Sequence, residues 1–193
     1  MTHEADQWDD FEGLASELRQ RVGSEFRREA EEVERLVELQ RIRARTLSEV
    51  ATEHMARGDR IAVHVGGHRL TGLVTAAIKD LLQLEEGNRS MDVNLGAGVM
   101  LELVERARSG GHDGTSGSRS FRARLAEYEQ TGELLTLILS PGGTTLRGRI
   151  RVVGADHAVV EDEEDRTFYL ALGTIGAVVR SIDPRPAVAP DGP

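Results

Sequence analysis

Apolar side chains recur at steps of three and four from the start of the chain: Trp8, Phe11, Ala15, Leu18, Val22, Phe26, Ala30, Val33 and Val37. Beyond the polar Gln40 the series resumes at Ala44, Leu47, Ala51 and Met55. This spacing predicts an amphipathic helix with one face to bury. The stripe returns in eleven-residue steps (Phe11, Val22, Val33, Ala44), which fits a nearly straight helix better than a left-handed heptad coil. Gly13 and Gly23 each weaken it by about 1 kcal/mol relative to Ala, so a break is expected near Gly23-Ser24. The opposite face alternates in charge through Glu17, Arg21, Glu25, Arg28, Glu32, Arg35, Glu38 and Arg41, a pattern that supports exposed helix. Thr46-Leu-Ser-Glu49 reads as a capping box. A fresh helix is therefore expected from Leu47 to about Arg57, ending at Gly58.

The period then drops to two. Ile61, Val63 and Val65 alternate with Ala62 and His64, and Gly66-Gly67 turns the chain into Leu70, Gly72, Val74 and Ala76. Leu82 with Leu84, then Met91, Val93 and Leu95, then Val99 to Val104 continue the series. Five short strands with a bent, Gly-containing second strand predict a small barrel that closes on itself and protects its edges.

The unit recurs. Leu70 falls on Leu146, Gly72 on Gly148, Val74 on Ile150, Asp80 on Asp156, Leu84 on Val160 and Glu85 on Glu161. A short helix from Phe121 to Gln130 precedes the second copy as Leu47–Arg57 precedes the first, and Gly132 matches Gly58. Between the copies, Ser109 to Ser118 has the composition of a flexible linker. After Ile182, the run from Asp183 to Pro193 reads as a disordered tail. The expected organisation is residues 1–45 as a helical segment, 46–106 as a first barrel, 107–119 as linker, 120–182 as a second barrel and 183–193 as tail.

A short helix followed by five bent strands, with Gly72 or Gly148 in the second strand and Asp80 or Asp156 before the third, resembles the Sm-like group of SH3-type barrels. The resemblance covers about residues 46–104 and 120–182. It implies the fold class α+β: a long N-terminal helical segment, then two tandem small five-stranded Sm-like or SH3-like β-barrels, each preceded by a short helix. It also implies rings that bind single-stranded RNA in pockets between neighbouring barrels. The loops that would form those pockets carry Asp80-Leu-Leu-Gln83 and Asp156-His-Ala-Val159, and Gly96-Ala-Gly98 and Gly173-Thr-Ile175. Neither set supplies the stacking aromatic or guanidinium that such recognition uses. The layout as a whole, opening on Trp8-Asp-Asp10, also resembles an uncharacterised family of high-GC Gram-positive bacterial proteins, from which no activity carries over.

Composition narrows the function. The 193 residues are 39% hydrophobic but only 4% aromatic, which means a core of Leu, Val, Ile and Ala without large anchors. There is no cysteine, which removes disulfides, thiolate metal sites and cysteine nucleophiles. No run approaches a signal peptide or a membrane span, so the expected location is the cytoplasm. A net charge of −9 opposes a general nucleic-acid-coating role.

Candidate chemistry is sparse. His64-Val-Gly-Gly-His68 is the tightest histidine pair, without the third ligand and orienting shell that a metal recruits. Exposed hairpin histidines are expected there. Glu161-Asp-Glu-Glu-Asp165 lacks the ligand spacing of a calcium loop and reads as a solvated turn between strands. No nucleophile with an adjacent base is visible, and the paired glycines sit in hairpins rather than before helices, so no phosphate loop is expected. The expectation is no enzyme, no cofactor and no metal. Arg147, Arg149 and Arg151 alternate along one strand and form the candidate nucleic-acid face, with Glu161 to Asp165 close enough to neutralise it. Trp8, Phe11, Leu18, Val22 and Phe26 form the candidate partner-helix stripe, which either packs on the chain's own barrels or pairs with another copy or a different protein. Gly72, Gly148, Asp80 and Asp156 are assigned structural roles. The functional expectation is a non-enzymatic cytoplasmic interaction or scaffold protein that binds a protein partner or itself, with RNA or DNA binding as the alternative and no membrane contact.

Overall fold

The computed structural model describes residues 31–108, 110–111 and 117–181. The stripe Trp8, Phe11, Leu18, Val22 and Phe26 and the expected tail 183–193 lie outside these residues. Contacts divide the chain between Arg45 and Thr46. In the first part, α1 is helical over residues 31–44, and its Val33, Leu36, Val37 and Ile42 are exposed.

The second part opens with α2, Leu47–Arg57. Its capping box is formed as expected: Thr46 Oγ1 accepts from the Glu49 amide at 3.2 Å while Glu49 Oε2 accepts from the Thr46 amide at 2.7 Å. Gly58 ends the helix in the left-handed region. Five strands follow: β1 Arg60–Val65, β2 His68–Ile78, β3 Leu81–Glu86, β4 Arg89–Asn94 and β5 Met100–Glu105. Then come α3, Phe121–Thr131, and β6 Leu135–Leu139, β7 Thr145–Val153, β8 His157–Asp162 and β9 Thr167–Ala171, with a short 3-10 turn at Leu172–Thr174 before β10, Ile175–Ser181. The five-strand unit thus occurs twice. A bulge lies between Val74 and Ala76 in β2 and between Ile150 and Val152 in β7, at matching places in the two copies.

The two units are not closed barrels, which corrects the expected fold class of a long N-terminal helix and two closed five-stranded barrels. The strands form one open, antiparallel ten-stranded sheet in the order β5-β1-β2-β3-β4-β10-β6-β7-β8-β9, and the described residues are mostly β with three helices. To close a barrel, β4 would have to pair with β5 of its own copy. It pairs instead with β10, from Val93 opposite Ala177 to Arg89 opposite Ser181. The reason lies in backbone chemistry: side-chain alternation fixes which face of a strand is buried, whereas the edge is satisfied by any strand that offers a complementary ladder.

The shared centre exchanges core residues between the copies. Ile138 and Ala177 pack into the cluster built around Ile61, Val63, Leu82, Leu84 and Val93. Leu81 packs into the cluster built around Phe121, Leu125, Leu137, Ile150 and Val160. Successive residues Leu137 and Ile138, or Ala177 and Val178, therefore enter different cores, which is what opposite-facing neighbours on a strand buried on both sides must do.

Candidate functional site

The junction of the two copies holds the most concentrated buried chemistry among the described residues. On β4, Met91 and Val93 enter the first core, which turns Ser90, Asp92 and Asn94 to the opposite side. All three are buried, so each needs partners. Asp92 has three donors. Gln83 Nε2 reaches Oδ1 at 2.7 Å, Arg124 Nε reaches Oδ2 at 2.9 Å, and the Tyr128 hydroxyl donates to the same oxygen. Arg124 also lies 4.6 Å from the Tyr128 ring centroid and donates to Glu127 at 2.6 Å. The Ser118 hydroxyl in turn donates to Glu127. Asn94 Nδ2 reaches the Ile175 carbonyl at 3.2 Å.

Burial and the neighbouring Asp92 charge push the Tyr128 hydroxyl well above its ordinary range. Burial alone would lower Arg124, but the Asp92 carboxylate reverses this and holds the guanidinium firmly charged. Isolating one charge of such a buried pair costs about 3–5 kcal/mol, whereas the intact pair adds little net stability. The network therefore fixes where α3 sits on β4. Beside it lies a cavity of about 200 Å³ lined by Thr75, Gln83, Glu85, Ser90, Arg124 and Arg180, among others. Arg180 Nε is buried without a hydrogen-bond partner, and its Nη1 lies 3.8 Å from Glu133.

A second buried carboxylate, Asp59, ties α2 to the segment after β5. It accepts from the Ala107 amide at 2.9 Å and contacts His54 Nδ1 at 2.9 Å. The His54 bond, then the Ala107 amide, hold its carboxyl below the ordinary aspartate value. The Gly111 amide donates to the Ala56 carbonyl at 3.2 Å. Ala107, Gly111 and Ser118, within the stretch read as a flexible linker, are thus each anchored by a hydrogen bond. Arg57, Asp59, Arg106 and Arg108 also border an open cleft of about 590 Å³.

The sequence-selected residues fall elsewhere. Arg147, Arg149 and Arg151 do share one exposed face of β7. Arg151 makes two hydrogen bonds to Glu161 at 2.8 and 3.0 Å, Arg147 lies 3.3 Å from Glu163, and Arg149 donates to the Gly132 carbonyl. Each guanidinium therefore has an acceptor at hand, which lowers the positive potential available to a phosphate. His64 contacts Glu102 at 2.7 Å, while His68 contacts the Gly143 carbonyl at 2.9 Å in the other copy. The two imidazoles are thus committed to separate partners. Within the acidic run, Asp162 organises the turn by accepting from the amides of Glu164 and Arg166, both at 2.9 Å. Asp80 Oδ1 accepts from the Phe121 amide at 3.1 Å at the start of α3, whereas the Asp156 side chain is 90% exposed beside His157.

The sequence assigns no functional role to Asp92, Gln83 or Arg180. Asp92 stands between Met91 and Val93, and that alternation assigns it to the opposite face. Only the pairing of β4 with β10, under α3, makes that face an interior. No protein-family model matches the chain, and no curated protein matches it.

Proposed function

We propose that this chain is a non-enzymatic interaction or scaffold protein of the cytoplasm that works by presenting apolar surface to protein partners. The observation that carries this reading is α1, where Val33, Leu36 and Val37 stand exposed on one face of the helix, with Leu39 and Ile42 exposed elsewhere on it. A helix with such a face needs a covering surface. The charged residues of the same helix, Glu31, Glu32, Glu34, Arg35, Glu38, Arg41 and Arg43, keep its other side hydrated and carry both signs, as suits a protein partner better than an anionic membrane. Among the described residues no helix is long and apolar enough to cross a membrane. Nucleic-acid binding is the second reading, and the acceptors beside Arg147, Arg149 and Arg151 count against it. Val33→Glu with Val37→Glu in the full chain tests the proposal. The wild type used as bait in its native cell extract should retain a defined set of proteins that the double variant loses, with the melting temperature unchanged. Identical capture by both proteins would contradict it.

A further inference from the structure

The two copies end their short helices differently. α2 closes on Arg57-Gly58-Asp59, where α3 closes on Thr131-Gly132-Glu133. Beyond β5 the chain returns to the end of α2 and is laid against it. Asp59 Oδ1 accepts from the Ala107 amide at 2.9 Å, and the Gly111 amide donates to the Ala56 carbonyl at 3.2 Å. The approach is backbone on backbone, since a Cβ built on Gly111 would sit 2.0 Å from the Met55 carbonyl oxygen. Ala107 stands between Arg106 and Arg108, so the bond that holds its amide also fixes where two guanidinium side chains begin. Arg57, Arg106 and Arg108 border the same open cleft of about 590 Å³.

We infer that this cleft is a binding site for a diphosphate group, either free or carried by a nucleotide. The inference goes beyond the reading of α1, because it uses a different surface and a small ligand.

The local charge favours an anion even though the chain as a whole carries −9. Arg60, Arg69, Arg147, Arg151 and Arg166 each lie beside a carboxylate. Arg106 and Arg108 have no hydrogen-bond or ion-pair partner among the described residues. Arg57 donates to Glu53, but a guanidinium carries several N–H donors and the rest remain available. The carboxylate of the cleft is already committed: Asp59 Oδ1 to the Ala107 amide and Oδ2 to His54 at 2.9 Å. The negative end of α2 is answered in the same way, since the carbonyls of His54, Met55 and Ala56 accept from the amides of Asp59, Gly58 and Gly111.

The same residues set the ligand's class. A planar guanidinium pairs with two phosphate oxygens at once, and three such groups around one cleft offer more donors than a single phosphate uses. The volume falls within the range of about 300–1,000 Å³ usual for small-ligand sites, which leaves room for a group attached to the diphosphate. No aromatic side chain is among the described lining residues, so a single-stranded nucleic acid would find no stacking platform there.

Isothermal titration of the full chain with pyrophosphate, ADP and adenosine tests the inference. Pyrophosphate should bind at one site per chain, more weakly as sodium chloride is raised, and adenosine should not bind. ADP binding as tightly as pyrophosphate would show that the diphosphate alone is recognised, and tighter ADP binding would identify a nucleotide as its carrier. Arg106→Gln with Arg108→Gln should weaken pyrophosphate binding by about tenfold or more, through loss of charge-assisted hydrogen bonds, with the melting temperature unchanged. Arg147→Gln with Arg151→Gln, on β7, should leave the affinity as it is. Val33→Glu with Val37→Glu should also leave it, which separates this site from any contact made by α1. No heat from pyrophosphate at low salt, or equal affinity in the Arg106/Arg108 variant, would overturn the inference. So would retention of single-stranded RNA by these two arginines without binding of pyrophosphate.

Discussion

Gly148 and Gly72 lie where β7 and β2 pass closely over their neighbours. A Cβ built on Gly148 would sit 2.5 Å from the Glu161 carbonyl oxygen and 2.9 Å from Val160 Cγ1, and one on Gly72 would sit 2.8 Å from the Glu85 carbonyl oxygen. Backbone cannot step aside as a flexible side chain can, so overpacking here belongs at or beyond the upper end of its usual cost, about 3 kcal/mol. Gly148→Val should lower the urea midpoint by a corresponding amount, and an unchanged midpoint would contradict the close approach. These glycines were legible in the sequence, because a residue without a side chain that recurs inside an apolar alternation marks a bend or a close backbone approach. Asp92 was not. Its burial comes from α3 and β10, more than thirty residues away in the chain, and no local pattern around Met91 and Val93 encodes that contact.

At the scale of elements, the caps and strands were the most legible features. Thr46, Glu49 and Gly58 act within one helix, and each strand announces itself by local alternation. The tie between elements was hidden. Asp59, at the end of α2, reaches Ala107 beyond β5 and so holds the helix to the segment leaving the fifth strand. Its carboxyl is held below the ordinary aspartate value, first by His54 and then by the Ala107 amide. A group whose folded value is depressed adds stability that is complete above the unfolded value, near about 3.9. That stability is lost as pH falls through the folded value. Acid denaturation should therefore show a loss of stability beginning below about pH 4 that is smaller in Asp59→Asn. Identical pH profiles for the two proteins would show that Asp59 carries no such linkage.

At the scale of the whole molecule, the repeat was visible in the sequence, but its consequence was not. Matching Leu70 to Leu146 and Gly72 to Gly148 establishes two copies of a five-strand unit, and from there closure of each copy is the simplest inference. The structure joins the copies through β4 and β10 and lets Ile138, Ala177 and Leu81 cross into each other's cores, so the strands at the junction bury side chains on both of their faces. This continuous sheet leaves β5 and β9 as its open edges. Backbone nuclear Overhauser effects on the full chain test it most directly. The sheet predicts cross-strand contacts between β4 and β10, with Asp92 opposite Val178 and Ser90 opposite Arg180. Contacts from β4 to β5 of the same copy, with none to β10, would contradict it.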